Sequence, residues 1–144
     1  MNKILKNILT LLLIATPAVL LVVPDNMFFP FITGKGMLFR FLVEILAFTY
    51  IFAAWSDPSL RPKRSLLLIS VSIFVAVALI ADLLSPNFTK AFWSNFERME
   101  GFVLIAHLFA YFIVLGSTLN SKKNWVTFFY SSLAVSIAMN LYGL

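Results

Sequence analysis

Ionisable side chains set among apolar neighbours are where this chain could do chemistry, because charge in a hydrocarbon setting is kept only where it has a partner or a task. Arg40, Glu44, Asp82, Glu97, Arg98, Glu100 and His107 are the candidates. Arg40 and Glu44 stand four residues apart, so on a helix they share a face. The pair could neutralise itself and orient its helix. Alternatively, Arg40 could face a cavity and bind an anion while Glu44 fixes its rotamer. A guanidinium suits phosphate because its planar fork engages two oxygens at once. The densest stretch is Phe92-Trp93-Ser94-Asn95-Phe96-Glu97-Arg98-Met99-Glu100-Gly101. Its aromatic residues suit a membrane interface, and its carboxylates suit the start of a helix. Arg98, held between Glu97 and Glu100, goes beyond anchoring: at the mouth of a cavity it could clamp a pyrophosphate.

The remaining candidates offer less. His107 could relay a proton, or could be a hydrogen-bonding residue inside a helix bundle. Asp82 reads as interfacial. Serine, histidine and aspartate are too scattered for a triad, and one histidine with no cysteine leaves no metal site to propose. No cofactor is expected. The Asn87-Phe88-Thr89 sequon reads as chance.

The elements that must position these groups are apolar runs. Hydrophobic residues make up 61% of the chain and charged residues 12%, against roughly 45–50% and about 25% in soluble domains. Too few polar groups are present to cover a soluble surface, so lipid is the fitting solvent. Five runs approach the length of a span: Ile4 to Val23, Met37 to Trp55, Ser65 to Leu84, Gly101 to Leu119 and Trp125 to Leu144. A span needs about 20 residues, and open backbone groups are not tolerated in hydrocarbon, so the runs should be helices. Pro17 should kink the first of them. No small-x-small cleavage site follows that run; Val22-Val23-Pro24-Asp25 does, so it reads as an uncleaved helix.

Charge placement sets the orientation. Lys3, Lys6, Arg61, Lys63, Arg64, Lys122 and Lys123 all fall on one side if five helices alternate, and the richer side should be cytoplasmic. The net charge of +5 is then a topology signal, and nucleic acid is not an expected partner. The expectation is an all-α, polytopic transmembrane bundle of about five helices, one domain over residues 1–144, with its N-terminus cytoplasmic.

Phe28-Phe29-Pro30-Phe31-Ile32-Thr33-Gly34-Lys35 leads into Phe39-Arg40-Phe41-Leu42-Val43-Glu44. Asp57-Pro58-Ser59 is followed by Arg61-Pro62-Lys63-Arg64-Ser65, and then by the run from Phe92 to Gly101. In this order and spacing the series resembles the N-terminal region of bacterial O-antigen ligase and polymerase membrane proteins, from about Phe28 to about Ser117. Asn95-Phe96-Glu97-Arg98-Met99-Glu100-Gly101 is its most specific piece.

The resemblance implies an inverting, metal-independent glycosyltransferase of the bacterial inner membrane. It would move a glycan from a polyprenyl-diphosphate carrier to a lipid A core, glycan or protein acceptor on the outer face. It implies diphosphate-holding roles for Arg40 and Arg98, supported by Glu44, Glu97 and Glu100. In that family the catalytic histidine belongs to a large late loop that this sequence does not contain, so no catalytic residue is assigned, and His107 is in a different context. The chain is accordingly expected to be the N-terminal portion of a longer bundle, inactive alone, with Arg40 and Arg98 converging on one cavity. The rival expectation is a small non-enzymatic integral membrane protein: a transporter subunit, assembly factor or scaffold. In it Arg40 and Glu44 are a structural pair and the aromatic run is an anchor.

Overall fold

The computed structural model describes residues 2–23, 30–95, 98 and 100–142. Glu97 lies outside the described residues, as do Pro24 and Asp25, Phe28 and Phe29, and the final Gly143-Leu144. Among the described residues the chain is helical throughout, without strands.

The helices are α1 (Asn2–Ala15), α2 (Lys35–Ser56), α3 (Leu66–Leu83), α4 (Phe88–Trp93), α5 (Phe102–Thr118) and α6 (Lys122–Tyr142). At Pro17 the first apolar run tightens: α1 passes directly into a 3-10 helix over Thr16–Leu21. Proline has no N–H to give the ladder. The Thr16 hydroxyl donates back to the Leu12 carbonyl at 2.9 Å, and the Ser131 hydroxyl of α6 donates to the Ile14 carbonyl at 2.7 Å. Both bonds serve backbone oxygens next to the break. A π-helical turn over Pro30–Gly34 leads into α2.

α5 packs against α1, α2 and α3, while α6 lies on α1 and its 3-10 extension. The core joins Leu9 and Leu13 of α1, Leu46, Tyr50 and Ala53 of α2, and Val114 of α5, together with Leu60 and Leu119. The spacings of four and three within α1 and α2 put each set on one helical stripe. Phe39 meets Tyr111 edge-on at 5.6 Å between centroids, which pins α2 to α5.

Among the described residues, three stretches are long and apolar enough to cross a membrane by length and composition: Ile4–Leu21, Ile32–Ser56 and Leu66–Leu83. Five were expected, and the other two differ for separate reasons. α5 is apolar but has only 17 residues. α6 has 21 residues yet carries Asn124, Thr127, Ser131, Ser132, Ser136 and Asn140 along its length. α3 has no buried residue, whereas α2 buries Arg40, Val43, Leu46, Tyr50 and Ala53.

The α2–α3 connection is tightly made. The Asp57 side chain accepts from the Ser59 N–H at 2.9 Å, capping a 3-10 turn over Pro58–Leu60. The Tyr50 hydroxyl donates to the Leu60 carbonyl at 2.8 Å. The Ser65 hydroxyl caps α3 by accepting from the Leu68 N–H at 3.1 Å. The Ser59 hydrogen bonds, side chain first and backbone second, hold the Asp57 carboxyl below its usual range, and the Lys6 charge adds to them. Lys6 near Asp57 puts the start of α1 level with the end of α2. Arg61 and Lys63, just beyond Asp57, line a groove with Trp125 near the start of α6, so Lys6, Arg61 and Lys63 lie at one end of the bundle.

Candidate functional site

The opposite end of the bundle holds the site. Met37, Arg40, Phe41 and Glu44 recur at spacings of three and four on α2, so they form one stripe of that helix. Val103 and His107 stand one turn apart on α5. Trp93, the last residue of α4, closes the third side, and together these walls enclose an open cavity of about 340 Å³.

Trp93 is held there by a close approach of backbones. A Cβ on Gly101 would run into the carbonyl oxygens of Ala91 and Phe92, so only glycine lets the start of α5 lie this near the end of α4. Phe92 packs on Phe102 at 5.8 Å and on Phe88 at 5.3 Å, which fixes the short helix to the first turn of α5. The Asn87 side chain caps α4 by accepting from the Lys90 N–H at 3.1 Å, so the asparagine of the sequon has a structural task. Immediately after Trp93, Ser94 adopts φ 60° and ψ −148°, a region that belongs almost entirely to glycine and stores strain in other residues.

Arg40 is buried at 7% exposure, and its Nε donates to the Gly36 carbonyl at 3.1 Å. That bond folds the side chain along its own helix and fixes the plane of the guanidinium. Glu44 faces a different partner from the one its spacing suggests: its Oε1 lies 3.4 Å from His107 Nε2. His107 Nδ1 is 2.6 Å from the Val103 carbonyl, one turn back on α5. A carbonyl only accepts, so Nδ1 carries the hydrogen. Nε2 is the ring nitrogen turned toward Glu44. The cavity thus presents a buried guanidinium beside a histidine–carboxylate contact.

No protein-family model, curated protein or solved structure matches this chain. What the cavity does must be read from its own geometry. Arg40 and Glu44 both line it, as their shared face implies. Arg98 and Glu100 are exposed and are not among the described residues that line it; the Arg98 N–H donates to the Asn95 carbonyl at 3.0 Å. Asp82 sits half-buried in the last turn of α3. The Glu44–His107 contact is what sequence reasoning missed. A signal existed, since ionisable groups inside membrane bundles tend to pair with one another. Choosing the partner required knowing that α2 packs on α5.

Proposed function

We propose that this chain contributes the diphosphate-holding part of an O-antigen ligase-type glycosyltransferase, acting on a polyprenyl-diphosphate-linked glycan. The observation that carries the reading is Arg40: a guanidinium that is buried yet lines an open cavity beside Trp93. On this reading α1, α2, α3, α5 and α6 all span the bacterial inner membrane, with the N-terminus cytoplasmic and the Arg40 cavity at the outer face. The gathering of Lys6, Arg61 and Lys63 at the other end supports that orientation through the positive-inside rule.

The chemistry asked of the cavity is electrostatic. When an acceptor hydroxyl attacks the anomeric carbon, the bond to the diphosphate oxygen breaks and negative charge collects on the leaving group. A fixed guanidinium in a water-poor setting stabilises that charge without having to reorganise. Arg98, five residues before Val103 on the cavity wall, would meet the carrier from the membrane surface, with Glu100 and Glu97 supporting it. The acceptor would be a lipid A core, a glycan or a protein.

Binding of the carrier provides the test. The purified chain in lipid nanodiscs is titrated with polyprenyl diphosphate and with the monophosphate, following tryptophan fluorescence. Hydrogen bonds to charged groups contribute about 1.5–3 kcal/mol, so Arg40→Ala should weaken diphosphate binding by about tenfold or more at unchanged helicity. Arg40→Lys should fall between, having charge without the fork. Equal binding by wild type and Arg40→Ala would sink the reading.

The Nε bond to the Gly36 carbonyl favours a second reading, since it is how a purely structural arginine satisfies itself along a helix. In it the chain is a small non-enzymatic integral membrane protein, and wild type binds no diphosphate.

A further inference from the structure

The basic end of the bundle holds a groove that the diphosphate reading does not use. It runs between α3 and α5 and has a volume of about 340 Å³, in the lower range of ligand-holding clefts. Its walls are apolar: Leu67 and Leu68 from α3, with Phe112, Ile113 and Leu115 from α5. Its mouth is not. Arg61 and Lys63, on the connection into α3, line it with the hydroxyl-bearing Ser59 and Ser65. The Arg61 Nε donates to the Ala54 carbonyl at 3.3 Å, which orients the guanidinium at that mouth. Trp125, near the start of α6, stands at the same level, where an indole suits a membrane interface.

Gly116 completes the shape. It is exposed, and a Cβ added there would meet nothing within 4 Å. The glycine therefore serves neither a turn nor a close approach of backbones. It leaves a channel along α5 open, and that channel faces α3, a helix with no fully buried residue. An apolar channel opening sideways toward hydrocarbon, with two cations at its head, has the layout of a phospholipid: a chain below and an anion above. Juxtamembrane basic residues attract anionic headgroups, and basic pockets between helices hold them.

We propose that the α3–α5 groove is a site for one anionic phospholipid, its acyl chain lying over Gly116 and its phosphate held by Arg61 and Lys63. Cations at the mouth select against zwitterionic lipids, whose own ammonium competes for the phosphate. The site does not rest on the diphosphate reading, since it lies at the other end of the bundle.

Trp125 is a reporter already in position. In a Trp55→Phe, Trp93→Phe background it is the one tryptophan left. The chain is placed in phosphatidylcholine nanodiscs containing a small fraction of phosphatidylglycerol or phosphatidylcholine brominated on the acyl chain, and quenching is followed. Brominated phosphatidylglycerol should quench Trp125 with an apparent affinity several-fold higher. Lys63→Gln, alone and with Arg61→Gln, should bring the two lipids together. Gly116→Leu, which fills open space on a helix that tolerates leucine well, should reduce quenching by both at unchanged helicity. Equal quenching of wild type by the two lipids would mean ordinary annular lipid and would overturn the proposal. So would selective quenching that survives Gly116→Leu. Quenching that disappears as protein density rises, together with cross-linking through α3, would assign the groove to a second copy of the chain and overturn it as well.

Discussion

The two connections that flank α3 are built on opposite plans. Asp57–Ser65 is held by side chains bonding to the backbone: Asp57 to the Ser59 N–H, Ser65 to the Leu68 N–H, and Tyr50 to the Leu60 carbonyl. Leu60 then plugs the core with no exposure. Among its described residues, Ser85–Gly101 has the Asn87 cap and a longer 3.4 Å bond from the Asn87 N–H to the Ser85 hydroxyl, with backbone lying on backbone at Gly101 and Ser94 strained between. The first connection frames a groove with fixed walls; the second carries Trp93 on the rim of an open cavity. A connection built on local capping is stable by itself. One built on close approach depends on the helix that follows it.

Substitutions on either side can break that contrast. The largest effect is expected from Leu60→Ala, because emptying a fully buried leucine site costs about 2–5 kcal/mol. Thermal unfolding in detergent, followed by circular dichroism, should show a large fall in Tm, and a near-native Tm would mean that the turn is not seated in the core. Gly101→Ala comes next at about 1–3 kcal/mol, the usual cost of overpacking. It should also move α4, so Trp93 emission should shift to the red while Trp125 quenching by brominated lipid stays as in wild type. A change in both reporters would join the two ends that the structure keeps apart.

Ser94→Gly should act the other way. Glycine occupies φ 60°, ψ −148° without strain, and relieving it is worth about 1 kcal/mol. A raised Tm is expected; a lowered one would mean that Ser94 is not strained. The smallest effect concerns pH. The folded-state pKa of Asp57 lies below its unfolded value of about 3.9. Its contribution is therefore present above that value and is lost as pH falls through the lower, folded one. Wild type should lose more Tm than Asp57→Asn between neutral and strongly acidic pH, because asparagine still caps Ser59 but does not titrate. Equal losses would remove Asp57 from the acid response.

Much of the architecture could be read from apolar runs ended by helix-stopping residues. Met37–Trp55 anticipated α2, and Ser65–Leu84 anticipated α3, because Ser-Asp-Pro and Ser-Pro-Asn leave little freedom about where a helix stops. α4 was hidden because it has six residues and its helical state depends on stacking Phe92 against Phe102. The site divides along the same line. Arg40 and Glu44 share a face by spacing alone, whereas Glu44 meeting His107 is a contact across 63 residues of chain. Local periodicity carries no information about such a contact. The separate surroundings of α2 and α3 were equally hidden, since apolar residues dominate both and only packing shows which helix buries them.

The hydrogen bond from Ser131 to the Ile14 carbonyl reaches across 117 residues, and it gives the fold a history as well as a shape. Ile14 lies in one of the stretches long enough to cross a membrane. During synthesis α1 emerges well before α6. Until Ser131 arrives, the carbonyl beside the proline-induced break must find another donor or face hydrocarbon, where an open backbone group costs several kcal/mol. The early helix is thus unfinished until the later one docks, so a ribosome stalled before Ser131 should leave α1 a preferred target for membrane quality-control proteases.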